Sequence, residues 1–274
     1  MRGRFLIILS LALMLALLVA LNAASYVRVE READLEGAPD RSTSNAGATG
    51  TRALYEFLED SGYRVARWRE TPGNLSRVMG KSQPAAFVIV GPLRRDLTEE
   101  EAERLLSWVD GGGRLVVIDR EPATELLPIV NDLRVAAQPA EEQPAFDLRA
   151  DNLNALTSGV SSVKPAQPTL LTNSVEQIMP TRFASRLYVH ALSEAERKVD
   201  EEAAEENEVM RPLAPVLHFT DERGALVADF RYGRGRIVVL SEPFIVANNG
   251  IRRADNLQLA VNLLTNGASR NDAG

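Results

Sequence analysis

Apolar positions divide the chain into one unbroken block and a series of short periodic segments. Phe5 to Ala24 reads FLIILSLALMLALLVALNAA, uncharged and almost wholly apolar. As a helix rising ~1.5 Å per residue it reaches about 30 Å, the thickness of a bilayer's hydrocarbon core. Arg2, Arg4 and the amino terminus predict that residues 1–4 are cytoplasmic. Arg28 and Arg31 on the far side weaken that bias, although Glu30, Glu32 and Asp34 accompany them. A cleaved signal peptide is the competing reading. Its apolar region is usually about 7–15 residues long and ends in a small-x-small site. Here Asn22 occupies the −3 position before Ala24, so an uncleaved anchor over residues 5–24 fits better. Both readings place the folded part outside the cytoplasm, and no second stretch is long and apolar enough to span.

Residues 25–48 read as a juxtamembrane strand or linker followed by a Ser-rich loop. The α/β domain is expected over 49–266. Thr49 or Thr51 caps a helix, TRALYEFLEDSG, with Ala53, Leu54, Phe57 and Leu58 on one face and Gly62 at its end. YRVARW alternates and predicts a strand, and ETPGNLSRVMGKSQP a short helix. AAFVIV is a short apolar run of the kind found in buried parallel strands. Thr98 and Glu101 form a capping box at the head of a helix whose inward stripe is Ala102, Leu105, Leu106 and Val109. RLVVID is the next strand, so the unit predicts a right-handed parallel crossover. PATELLPIVNDL and DNLNALTSGV suggest short helices, residues 137–147 a surface connection, and ASRLYVHAL a strand. At about 194–210 the sequence is dense in charge without apolar periodicity and reads as a solvated, poorly ordered segment. APVLHFTDERGALVADFRYGRGRIVVLSEP holds three strand-like runs joined at Asp221–Gly224 and Gly233–Gly235. ADNLQLAVNLLT closes the domain as a helix, and 267–274 is a tail.

Composition removes several chemistries. The 274-residue chain has 45% apolar and 25% charged residues, a net charge of −7 and no cysteine. The acidic balance argues against nucleic acid as a partner. Without cysteine there is no thiolate metal site, disulfide or cysteine nucleophile. The two histidines, His190 and His218, have no companion at ligand spacing, so no metal and no cofactor is expected. Both sit in strand-like runs and read as packed, hydrogen-bonded residues.

Gly111-Gly112-Gly113 lies beside an apolar strand, where glycines often cradle phosphate. A phosphate loop, however, follows a strand and opens a helix. Here the order is reversed, which is helix-stop chemistry. Ligands of open parallel sheets lie beyond the carboxyl ends of the strands. Segments that could converge there are Gly91, Pro92 and Arg94; Asp119 with Arg120 and Glu121; Glu242 with Asn248 and Asn249; and Ser42, Ser44, Asn45 and Thr49. The same residue types also make turns and caps everywhere. No catalytic residue is assigned.

Three blocks together, RSTSNAGATGTRALYEFLEDSGYRVARW, VIVGPLRRDLTEEEAERLLSWVDGGGRLVVID and YGRGRIVVLSEPFIVANNGIRRADNLQLAVNLL, resemble a bacterial membrane-anchored family, domain of unknown function 4350. The resemblance implies a Rossmann-like three-layer sandwich of the class I glutamine amidotransferase-like kind. Its sheet is expected to be mostly parallel, with a C-terminal antiparallel hairpin behind one transmembrane helix. Related domains occur in auxiliary subunits of gliding-type ABC transport systems. Active amidotransferases use a cysteine, which this chain lacks. The resemblance therefore implies a non-catalytic module in the bacterial inner membrane, in a complex with AAA ATPase-associated or transporter proteins. A carboxylate-dependent hydrolase of envelope material and an ABC-system accessory subunit are the alternatives.

Overall fold

The computed structural model describes residues 2–25, 34–75, 84–192 and 214–265. The first unit is helix α1 (Arg2–Ser25), with a mean hydropathy of 2.7 over Arg2–Asn22. Among the described residues it is the one helix long and apolar enough to cross a membrane. Such a helix is compatible with an anchor or a signal sequence. The expected linker residues 26–33, the acidic segment 194–210 and the tail 267–274 lie outside the described residues.

The second unit is built on a seven-stranded sheet. Its strands are β1 (Phe87–Val90), β2 (Arg114–Ile118), β3 (Leu133–Gln138), β4 (Arg186–Ala191), β5 (Val216–Asp221), β6 (Gly224–Tyr232) and β7 (Gly235–Leu240). The order is β1-β2-β7-β6-β4-β3, with β5 also paired to β6. Only β1–β2 and β2–β7 are parallel. The pairs β3–β4, β4–β6, β5–β6 and β6–β7 are antiparallel. The expectation of a mostly parallel sheet is therefore corrected: most strand pairs are antiparallel. The parallel register stops at β7 because a two-residue turn at Gly233-Arg234 folds β6 directly onto it, leaving no room for a crossover.

Helices cover both faces of the parallel strands. Helices α2 (Arg52–Asp60) and, further on, α5 (Asn256–Thr265) place Leu54, Leu58, Leu259 and Leu263 against Val116, Ile118, Val238 and Leu240. On the other face α3 (Glu99–Asp110) places Ala102, Leu105, Trp108 and Val109 against Leu115, Val117, Ile237 and Val239. All five residues of β2 are buried, as its unbroken apolar run requires. At ~1.5–3 kcal/mol per buried large aliphatic side chain, this double layer is the main source of cohesion.

Several local expectations change. Residues 63–68 make no strand, although Tyr63 and Val65 pack on one core layer and Trp68 on the other. Trp68 meets Phe87 edge-on at 5.8 Å. A 3-10 turn, Pro72–Asn74, runs into helical backbone at Leu75, and the rest of the segment expected to hold a short helix, residues 76–83, lies outside the described residues. PATELLPIVNDL also forms only a 3-10 turn, Thr124–Leu126. The unforeseen strand β3 follows, taking in the first two residues of the expected surface connection. Helix α4 (Leu153–Thr157) and strand β4 form where their patterns place them. His218 is buried and its Nδ1 lies 3.3 Å from the Thr169 hydroxyl, but His190 is exposed on β4, contrary to the packed role expected of it.

The Thr98–Glu101 capping box is present in both directions. The triple glycine ends α3: Gly112 has φ +116°, and the Gly113 amide donates to the Trp108 carbonyl at 3.1 Å. A Cβ on Gly113 would stand 2.4 Å from the Trp108 ring. Gly112→Ala is expected to cost about 1 kcal/mol through the positive φ alone. Gly113→Ala is expected to cost about 1–3 kcal/mol, because the indole must move inside a packed layer. Urea unfolding of the two variants measures both and their order.

Candidate functional site

Strands β2 and β7 run parallel and end side by side, so they deliver Asp119-Arg120 and Ser241-Glu242 to one edge of the sheet. The Asp119 amide continues the ladder by donating to the Leu240 carbonyl at 3.0 Å. Glu242 is fully buried. Its Oε1 accepts from Arg120 Nη2 at 2.9 Å and from the Phe244 amide at 3.1 Å. Its Oε2 accepts from the Thr181 hydroxyl at 2.5 Å and the Thr181 amide at 3.3 Å. Arg120 Nη2 also donates to Glu36 Oε1 at 2.8 Å, and the same oxygen accepts from Arg41 Nη2 at 2.6 Å. Two carboxylates and two guanidiniums thus alternate in one buried chain, Glu242–Arg120–Glu36–Arg41, and their formal charges cancel.

The protonation tendencies follow from this geometry. Burial works against ionising Glu242, but Arg120, the Thr181 hydroxyl, the Phe244 amide and Arg41 outweigh it and hold the carboxyl below its ordinary value. Arg120 is buried too, yet its two carboxylate partners raise it. Arg41 has Glu36 as its direct carboxylate partner, and burial lowers it. Asp119 goes the other way. Burial raises it, against the pull of the Glu121 and Arg120 amides. Its carboxylate also accounts for Gly91, where a Cβ would fall 1.7 Å from Asp119 Oδ2. The Gly91-Pro92 peptide is cis, and Pro92 is exposed.

Ser42, Ser44, Asn45 and Thr49 lie in a loop that is largely bonded to itself. The two serine hydroxyls are 2.8 Å apart, Asn45 Nδ2 donates to the Asp40 carbonyl at 2.8 Å, and the Thr49 amide donates to Asp34 Oδ2 at 2.8 Å. Asn248 clamps this loop. Its Nδ2 donates to the carbonyls of Asn45 (3.1 Å) and Gly47 (2.6 Å), and its Oδ1 accepts the Ala53 amide at 2.9 Å. Asn248 therefore caps α2. Thr51 stands at the N-cap, but its hydroxyl donates to the Arg41 carbonyl instead. Asn249 anchors the neighbouring chain through Nδ2 to the Ala150 carbonyl at 2.8 Å. Arg94 reaches Asp40 at 3.5 Å on the open surface.

The candidate residues thus fall into two connected groups, the buried ionic chain around Glu242 and the loop clamp around Asn248. At the clamp lies an open cleft of about 480 Å³ lined by residues 46–48, Asp151, Leu153, Asn248, Asn249, Arg252 and Arg253. Glu36, Arg41, Thr181, Arg252 and Arg253 are absent from the sequence-based set. An acidic and a basic residue five apart in a Gly/Pro loop carry no local signature of pairing. The adjacent Arg252-Arg253 after NNG was the one visible signal. Among the described residues, no group of three or more His, Asp or Glu is placed to hold a metal.

Fold and site together define an α/β domain whose strand ends are sealed by an internal ion-pair chain, with an open cleft alongside. The chain belongs to the family described as Domain of unknown function (DUF4350), whose model matches residues 43–264. Similar solved structures include the mmIFT52 N-terminal domain, 14% identical, with 81% of this chain and 92% of that one covered at TM-score 0.47. Another is the cytoplasmic protein STM3548 from Salmonella typhimurium, 12% identical, 79% and 86% covered, TM-score 0.41. A third is the cytoplasmic protein STM1381 from Salmonella typhimurium LT2, 11% identical, 80% and 84% covered, TM-score 0.37. No curated protein matches the chain.

Breaking a buried pair by removing one charge costs about 3–5 kcal/mol, so Glu242→Gln is expected to lose that much at neutral pH in urea unfolding. Because the folded-state value of Glu242 is depressed, its contribution is complete above the ordinary glutamate value of 4.5 and is lost as pH falls through the lower folded value. The wild type should weaken across that acid window, and Glu242→Gln should flatten this part of the profile. Asp119→Asn should be neutral or stabilising at pH 7, since the folded state opposes ionisation of Asp119.

Proposed function

We propose that this is a single-pass membrane protein, amino terminus inside, that presents its α/β domain outside the cytoplasm as a non-catalytic binding subunit of a bacterial inner-membrane complex. One observation carries the reading. Glu242, the buried carboxylate at the strand ends, accepts four hydrogen bonds and pairs with an arginine shared with Glu36. A carboxylate so saturated has no lone pair free for acid–base work, and its low proton affinity makes it a poor general base at neutral pH. The open surface is the cleft at the Asn248 clamp, where the exposed Arg252 and Arg253 make no ion pair among the described residues. The resemblance that motivates an envelope complex makes AAA ATPase-associated or transporter proteins the expected neighbours. The amidotransferase-like reading is not carried forward: the chain has no cysteine, and Gly91-Pro92 follows β1 at the elbow.

A hydrolase remains as a second reading on one specific observation. Asp119 is half-buried and holds its proton more tightly than an ordinary aspartate, the property a general acid needs.

Purification of the cross-linked full-length protein from its native membrane separates the readings. Wild type is expected to recover a membrane partner or envelope ligand in stoichiometric amount, R252E/R253E to lose it, and Asp119→Asn to keep it. Equal recovery by wild type and R252E/R253E would overturn the binding-subunit reading. So would cleavage of envelope material by the wild type that Asp119→Asn abolishes.

A further inference from the structure

We propose that the cleft binds an anionic carbohydrate, a sugar carrying a carboxylate or a phosphate, with Arg252 and Arg253 holding the anionic group. The proposal rests on the preceding identification of this cleft as the working surface and names what it takes.

Three features of the cleft point to that class. The first is charge. Arg52, Arg95, Arg104 and Arg149, all exposed, each pair with a neighbouring carboxylate. Arg252 and Arg253 stand together at the cleft with no such partner among the described residues. A guanidinium presents a planar fork of donors that matches carboxylate or phosphate oxygens two at a time. The second is the set of acceptors in the same lining. The Asp151 carboxylate is held in place by Arg149 through bonds of 3.0 and 2.6 Å, and its side chain is still 59% exposed. Asn249, also in the lining, has a buried Oδ1 that receives no hydrogen bond among the described residues. Its orientation is fixed, because the Ala150 carbonyl can only accept and so selects the amide nitrogen. A ligand that satisfies this wall brings donors, and a sugar brings several hydroxyls. The third is the apolar material between them, Ala46, Ala48 and Leu153, which suits the C–H face of a pyranose. A bare phosphate would leave the acceptors unused, and an acidic peptide would bring carboxylates without the hydroxyl donors that those acceptors take.

The site is also built before any ligand arrives. The Arg253 amide donates to the Gly250 carbonyl at 2.9 Å, and Asn256 Nδ2 holds the same carbonyl at 2.9 Å. Asp255 Oδ2 takes the Glu176 and Gln177 amides at 2.8 and 3.1 Å. The backbone that carries the two arginines is therefore fixed, and binding has little chain ordering left to oppose it.

The test is titration of the full-length protein in detergent micelles, followed by calorimetry. The probes are glucose 6-phosphate, galacturonate and trigalacturonate, with glucose, inorganic phosphate and a polyglutamate peptide as controls. The anionic sugars are expected to bind at least about tenfold more tightly than any control, and R252A and R253A each to weaken them about tenfold, one charge-assisted contact apiece. D151N should weaken the sugars while leaving phosphate unchanged. Tightest binding by trigalacturonate would mark a polymer as the source of the sugar; equal binding by galacturonate, a free small molecule. Phosphate binding as tightly as glucose 6-phosphate, polyglutamate binding best, or sugar binding unchanged in R252A and R253A would each overturn the proposal. Both arginines are exposed, so unchanged melting of the variants separates lost binding from lost folding. If no sugar binds while R252E/R253E still loses its membrane partner, the ligand class falls and the binding-subunit reading stands. If both fail, both fall.

Discussion

The arrangement of this domain depends on one salt-bridged atom group, the Arg120 guanidinium held between Glu242 and Glu36. Glu242 stands at the end of β7, Arg120 at the end of β2, and Glu36 in the segment that leads into the domain. None of the three could be buried alone, because an uncompensated charge in the interior costs several kcal/mol. Together they require that the incoming chain lie against the strand ends in one place. A buried ion pair of this kind is weak as a source of net stability compared with an apolar replacement. Its consequence here is geometric. With Glu36 fixed, Arg41 follows, its carbonyl receives Thr51, and the loop from Ser42 to Thr49 has a defined start and finish.

That loop in turn determines where α2 begins and where the cleft has its wall. Asn248 belongs to the turn after β7, yet it caps α2 and holds two carbonyls of the loop, so the sheet end, the helix and the cleft wall share one side chain. The same device recurs where the chain lacks regular structure. Asn256 bonds the amide and carbonyl of Met179, and Asn262 bonds the carbonyls of Leu171 and Asn173. Buried asparagines supply donors and acceptors that a sheet or helix would otherwise provide, which is how residues 160–184 cross the α5 side of the sheet without a ladder. Packing of apolar layers holds the domain together, and these polar side chains decide its loop positions.

The legible parts of the sequence were those whose pattern is local. The unit from AAFVIV through the capped helix to RLVVID appears in the structure nearly residue for residue, because periodicity, the Thr98–Glu101 cap and Gly112 each act within a few positions. The C-terminal strands were equally readable from their turns. What failed was non-local. LRVAAQ has arginine, alanine and glutamine on a half-exposed edge, so β3 carries little apolar signal, and its antiparallel pairing with β4 was not visible. YRVARW alternates correctly, but a strand needs a ladder partner, and this segment only lays its side chains over both core layers. At the site, Gly91, Asp119, Glu242 and Asn248 were visible as residues beyond strand ends. Their partners Glu36 and Thr181 were not, since pairings 84 and 61 residues apart leave no trace in spacing, and Arg41 joins only through Glu36.

The charge of the whole chain and the charge of the cleft point in opposite directions, and the second governs recognition at contact. A net charge of −7 repels an approaching anion at long range. At physiological ionic strength that repulsion is screened over about 8 Å, whereas a guanidinium touching a carboxylate or phosphate acts at hydrogen-bond distance. The exposed carboxylate in the cleft lining is also partly spent, since Asp151 is held by Arg149. What an incoming anion would meet at the surface is therefore two cations on a fixed backbone, with no ion-pair partner among the described residues. Acidic composition argues against nucleic acid as a general partner because that affinity needs an extended positive field, but it leaves room for one small anionic group seated on two arginines.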